Sequence, residues 1–97
     1  MRTIEINMNY AIRNGRNFKQ SNTSVEVTQS TIFVSLHGNC ICKIDRTTGK
    51  RYYKNCGYST MTTRSRLNAL GANVRIKDFE MIFNETGESV PAYEWSK

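Results

Sequence analysis

Apolar and polar positions change period several times along the chain, and each change marks the boundary of an element. Residues 2–8 (RTIEINM) alternate with period two, which predicts a half-buried strand. Residues 9–24 (NYAIRNGRNFKQSNTS) are rich in Asn, Gly and Ser and predict a loop or a loosely held ribbon, with Gly15 at its tight point. Period two returns over residues 25–36 (VEVTQSTIFVSL). Ile32, Val34 and Leu36 share one face there, and Thr28-Gln29-Ser30 interrupts the run as a turn or a bulge.

His37-Gly38-Asn39 is a hairpin connection whose length the side chains can select. A two-residue turn at Gly38-Asn39 would set Val34 opposite Lys43 and Ile32 opposite Asp45. A three-residue loop pairs Leu36 with Cys40, Val34 with Cys42 and Ile32 with Ile44. That register keeps one face apolar and is the one we expect, with Cys40 and Cys42 inside. Thr47-Thr48-Gly49 turns the chain again. With Gly49 left-handed, Asp45 falls opposite Arg51 and Ile44 opposite Tyr52. Lys43, Arg51 and Tyr53 then lie on the outer face, Lys50 and Lys54 near its margins, and Tyr52 packs into the sheet.

Cys56-Gly57-Tyr58 ends this strand. Ser59, Thr60 and Thr62 are candidate N-caps of a helix of about nine residues, too short to stand without packing. Thr63, Leu67 and Leu70 fall within about 60° of one another on a helical wheel, and Gly71 is the expected stop. Residues 74–76 and 79–83 read as two strands joined at Lys77-Asp78. After Glu85-Thr86-Gly87, residues 89–95 can pair back as an edge strand, where Pro91 is tolerated. The expected fold is α+β, a small twisted antiparallel sheet with one short helix packed on it, in a single domain over residues 1–97.

Charge sharpens this picture. The chain of 97 residues carries a net charge of +6. Residues 43–66 hold Lys43, Arg46, Lys50, Arg51, Lys54, Arg64 and Arg66 against Asp45 alone, while basic and acidic residues cancel elsewhere. Concentrated charge of one sign recruits an opposite partner, although a charge run is also how a solvated face is built. No apolar run approaches the ~20 residues of a membrane span, and the polar start MRTIEINMNY has no signal-peptide core. A protein of the cytoplasm without a membrane partner is expected. Exposed edges at 3–8 and 89–95 leave a homodimer open.

An odd count of three cysteines argues against a disulfide framework. Reduced thiols packed as small hydrophobes are expected. The alternative, a metal site from His37, Cys40, Cys42 and Cys56, lacks the paired knuckles of a zinc motif. His37 has no obvious carboxylate partner, and there is no phosphate-binding loop, nucleophile elbow or H-E-x-x-H motif. The chain reads as a binding protein without cofactor, not an enzyme.

The stretch STMTTRSRLNAL, residues 59–70, carries the binding expectation. Capping explains one or two hydroxyls, but not their surplus, nor arginines beside the positive end of a helix dipole. Hydroxyls, free amide N–H groups and guanidiniums together suit phosphate. Arg64 and Arg66 are about 200° apart around a helix, so both can serve one ligand only if it is extended. The expected site is Thr60, Thr62, Thr63, Arg64 and Arg66 with Lys43, Arg51, Tyr53 and Tyr58, the tyrosines offering faces on which a base can stack.

Val34-x-Leu36-His37-x-x-x-Ile41 followed by Gly57-Tyr58-x-Thr60-x-Thr62-Thr63-Arg64-x-Arg66-Leu67-Asn68-Ala69 resembles a motif pair of small uncharacterised phage-encoded proteins. The resemblance spans about residues 31–83 and departs at Tyr58, where Trp is common. It implies a phage gene product acting in the host bacterial cytoplasm. For that class it suggests an accessory, counter-defence protein that holds a phosphate-bearing ligand, either a nucleotide messenger or a nucleic-acid segment. The alternatives are an inhibitor docking its basic face on a host defence component, such as a CRISPR-type complex, and a plain DNA- or RNA-binding regulator.

Overall fold

Residues 18–53 run up and down as a five-stranded antiparallel sheet in which every neighbour in sequence is a neighbour in space. The computed structural model describes residues 1–97. Its strands β1 (Phe18–Gln20), β2 (Thr23–Val27), β3 (Thr31–Leu36), β4 (Asn39–Asp45) and β5 (Arg51–Tyr53) pair in chain order. Helices α1 (Thr3–Arg13) and α2 (Met61–Ala69) and a separate ribbon, β6 (Val74–Lys77) with β7 (Glu80–Phe83), complete an α+β fold. Val25, Ile32, Val34, Cys42 and Ile44 of the sheet share one core with Met8 and Ile12 of α1, Leu67 and Leu70 around α2, and Val74 and Met81 of the ribbon. Both helices and the ribbon therefore cover the same side of the sheet. Its other side carries no layer.

The first expected strand is a helix. Glu5, Met8 and Ile12 are buried at helical spacing, while Ile6, counted as inward by alternation, is exposed. The alternation misleads because Glu5, the polar residue assigned to solvent, has the inward place. Its side chain is 2% exposed and faces an equally buried Arg66. One carboxylate oxygen of Glu5 accepts the Arg2 N–H at 3.1 Å, which helps close the first turn of α1. The other accepts from Arg66 Nη1 at 2.7 Å and from the Ser65 hydroxyl at 2.5 Å. Arg66 Nε donates to Thr23 Oγ1 at 2.9 Å and Nη2 to Asn22 Oδ1 at 3.3 Å. One guanidinium thus ties both helices to the start of β2, and no buried side-chain polar atom is left without a partner.

Two hairpin registers differ from expectation. At the β3–β4 turn Leu36 pairs with Asn39 and not with Cys40, so the connection is the two residues His37-Gly38, both at positive φ (53° and 78°). Val34–Cys42 and Ile32–Ile44 pair as expected because Ile41 is an extra residue bulged into β4. The bulge lets consecutive residues Ile41 and Cys42 both turn inward, while Cys40 pairs with Ser35 on the opposite face. After β4, Asp45 Oδ1 accepts the N–H groups of Thr47 (2.8 Å) and Thr48 (3.3 Å), so this carboxylate shapes the turn instead of facing Arg51. Ile44 pairs with Arg51, Lys43 with Tyr52 and Cys42 with Tyr53. The faces of β5 are accordingly reversed: Arg51 and Tyr53 point inward and Tyr52 outward.

At the other end of α2, the Leu70 carbonyl accepts from Arg51 Nη1 at 3.0 Å and from the Tyr53 hydroxyl at 2.9 Å. These contacts put a cation at the negative pole of the helix. The expected edge strand at 89–95 reduces to one bridge, Ile82 with Ser89. The chain then runs past β5, where Ser96 accepts the Tyr53 N–H through its hydroxyl (2.8 Å) and donates its own N–H to the Tyr53 carbonyl (3.0 Å). That contact shields the sheet edge. In the ribbon the turn falls one residue later than expected, at Asp78-Phe79, with Lys77 opposite Glu80.

Burial raises the Glu5 pKa, but the hydrogen bonds from Ser65, Arg2 and Arg66, with the Arg66 charge, outweigh it and the net shift is downward. A lowered folded-state pKa contributes stability that is fully present above the ordinary glutamate value of about 4.3 and disappears as pH falls through the folded value. Urea midpoints should therefore hold down to about pH 4.3 and drop below it, with a shallower drop in Glu5→Gln. Arg66→Met, which strands a buried carboxylate, should cost about 3–5 kcal/mol, and Glu5→Met combined with it should recover most of that loss. Phe79 sits at φ 65° with its ring 96% exposed. Phe79→Gly should raise stability by about 0.5–1 kcal/mol in thermal melts by relieving left-handed strain.

Candidate functional site

The structure separates the nine residues expected to hold a ligand into five places. Arg66 is consumed by the buried network with Glu5. Arg51 and Tyr53 cap the C-terminal end of α2. Tyr58, Thr60, Thr62 and Thr63 line a cleft of about 430 Å³ at the N-terminal end of α2, together with His37 and Asn55. Lys43 alone stands on the uncovered face of the sheet. Arg64 is half-exposed on the flank of α2 with no carboxylate within 4 Å, because Glu5–Arg66 is the one ion pair in the chain.

The α2 cleft is a capping arrangement first. Thr60 Oγ1 accepts the Thr63 N–H at 3.1 Å and shares a hydrogen bond with the buried Thr63 hydroxyl at 3.0 Å. No lysine or arginine lines the cleft. The hydroxyl surplus read from the sequence is partly absorbed by the helix, and the cations expected beside it lie elsewhere.

The uncovered sheet face gathers a different set of cations, of which only Lys43 belongs to the expected site. Register places Glu26, Phe33, Lys43 and Tyr52 in one row across β2, β3, β4 and β5. Lys43 Nζ lies 5.1 Å from the Tyr52 ring centre and 5.1 Å from that of Trp95. Lys50 approaches Tyr52 at 5.0 Å and Lys54 approaches Trp95 at 4.4 Å. The order is Lys50, Tyr52, Lys43, Trp95, Lys54: three ammonium groups alternating with two rings. Each such contact contributes ~0.5–1 kcal/mol at an exposed site, and the rings hold the flexible lysine stems upright. None of the three lysines has a carboxylate within 4 Å. Glu26, two strands from Lys43, is about 10 Å away at the usual strand spacing.

Local structure explains each position. The reversed faces of β5 turn Tyr52 outward beside Lys43, and the two hydrogen bonds of Ser96 to Tyr53 lay Trp95 on the same face. Sequence reasoning named Lys43 but assigned Tyr52 to the sheet interior and did not select Trp95, Lys50 or Lys54. The available signal was the parity of the Thr47-Thr48-Gly49 turn, since a shift of one residue moves Tyr52 from one face to the other.

The cysteines do not converge with His37. Cys42 is fully buried on the inner face, and burial pushes its thiol up to about 12. Cys40 is half-buried beside Ser35 on the outer face, correcting its expected inward place, and burial raises its pKa as well. The Cys56 thiol donates to the Cys40 carbonyl at 3.1 Å, and all three cysteines are free. No three His, Cys, Asp or Glu side chains are grouped so as to hold a metal ion. A soluble thiol reagent at about pH 8 should modify Cys42 last, and only as fast as the protein opens, which site-resolved mass spectrometry would report.

No helix is long and apolar enough to cross a membrane. A protein-family profile described as Kyanoviridae Gp96 protein matches residues 1–97, the whole length of the chain. No curated protein and no solved structure matches it.

Proposed function

The chain belongs to the Kyanoviridae Gp96 protein family of phage proteins, and for this member we propose binding of a nucleic-acid segment on the uncovered face of the five-stranded sheet. The observation that carries the proposal is the ladder of Lys50, Tyr52, Lys43, Trp95 and Lys54, whose charges have no acidic partner within ion-pair distance. Three ammonium groups held close together repel one another, and a phosphate backbone relieves that repulsion while releasing its condensed counterions. The α2 cleft supports a nucleotide ligand less well, since a helix terminus without a cationic side chain offers a phosphate only amide and hydroxyl donors.

Counter-defence, the wider role expected of a small phage accessory protein, fits the same surface if the protein acts by sequestering nucleic acid or covering it. Catalysis has no support from this face, which holds cations and rings but no nucleophile paired with a base.

Fluorescence anisotropy with labelled oligonucleotides tests the proposal. Three phosphate contacts predict that log affinity falls against log salt with a slope of about −2 to −3. Lys43→Gln, Lys50→Gln and Lys54→Gln should each reduce that slope by about 1, with the fold intact and only the small loss of melting temperature that the missing cation–π contacts entail. Absence of binding at low salt, or a triple variant that binds like the parent, would rule this face out. Binding that persists to an acidic host protein instead would transfer the surface to protein docking.

A further inference from the structure

Resting on that reading, we infer that the preferred nucleic acid is unpaired, with bases stacked on Tyr52 and Trp95 while Lys43, Lys50 and Lys54 hold the phosphates between them. The first ground is chemical. Both rings are only half-buried on a face that carries no covering layer, and their lysine neighbours have flexible stems that can leave a ring for a phosphate. A ring face vacated in this way is a platform for any base.

Spacing is the second ground. Lys43 Nζ reaches both rings at 5.1 Å, so their centres are no more than about 10 Å apart. Bases within one duplex strand are about 3.4 Å apart along the axis and hide their faces in the stack, whereas an unstacked strand can open that far and present a face to each ring. Phe33, across Lys43 in the same row, extends the apolar surface toward β2.

Third, nothing on this face enters a groove. Reading a duplex through its major groove requires a helix or a two-stranded ribbon inserted there. Both helices lie behind the sheet in the shared core, and the ribbon packs there too, with a tip where Lys77 faces Glu80 and Asp78 follows, so it gathers no positive charge for a phosphate backbone.

Trp95 is the single tryptophan, so its intrinsic fluorescence reports stacking directly. Titration with an unlabelled thymidine oligonucleotide of about 12 nucleotides should quench that emission. Duplex of equal length and heparin, a polyanion without bases, should quench it little and bind at least tenfold more weakly at the same salt. Tyr52→Ala and Trp95→Ala should each weaken single-strand binding by about fivefold to a hundredfold, far more than they weaken heparin binding, and Tyr52→Phe should restore most of the loss. Equal affinity for single strand, duplex and heparin without quenching would overturn the inference and leave the lysine surface as a general polyanion site. If none of the three binds, the nucleic-acid reading fails with it.

Discussion

Water is almost absent where the carboxylate of Glu5 meets the guanidinium of Arg66, and the placement of every helix follows from that contact. A buried ion pair is a costly device, because both groups surrender hydration that their mutual attraction only roughly replaces. Here the remaining valences are filled: Arg66 also reaches Thr23 and Asn22, and Glu5 also receives Ser65 and the first turn of α1. The network therefore specifies as much as it stabilises. It sets α1 against α2, and both against the start of β2.

With the two helices and the ribbon committed to one side of the sheet, the other side is left to polar and aromatic residues. The basic surplus of residues 43–66 is divided by this arrangement. Arg66 goes inward to an acid and Arg51 to the end of a helix, while Lys43, Lys50 and Lys54 remain outside, each against an aromatic ring and in no ion pair. Arg46 bonds the Thr28 carbonyl at 2.6 Å, and Arg64 stays on the flank of α2. The surplus read from the sequence thus resolves into three structural arginines, one flanking arginine and a local patch of three lysines. The patch is a property of strand parity: one residue of slippage in the β4–β5 turn would bury Tyr52 and expose Arg51.

How much of this was legible in the sequence depends on whether side-chain polarity signals burial. The sheet face of Ile32, Val34 and Leu36 was legible because alternation there coincides with burial, and so was α2, with its Thr60 cap, Thr63–Leu67–Leu70 stripe and Gly71 stop. Helix α1 was not, since its inward face includes a charged residue whose partner lies far along the chain. Nor were the two turn registers. Bulged Ile41 displaces only the expected partner of Leu36, with Val34–Cys42 and Ile32–Ile44 kept, while Asp45 spends its carboxylate on backbone N–H groups, so the pairing expected across β4 and β5 is off by one. The Trp95 position was hidden for a different reason: it depends on hydrogen bonds from Ser96 to the edge of β5, which no periodicity encodes.

The 61 residues that separate Glu5 from Arg66 also bear on how the chain is made. At about 5–20 residues per second, ribosomal synthesis delivers the guanidinium roughly 3–12 s after the carboxylate. Throughout that interval Glu5 lacks its partner, although β1 and β2, against which α1 also packs, have already been made before it ends. The buried network is therefore completed only after all five strands of the sheet have been made. The indole of Trp95 emerges later still, so the outer ladder of lysines and rings closes after the buried network behind it.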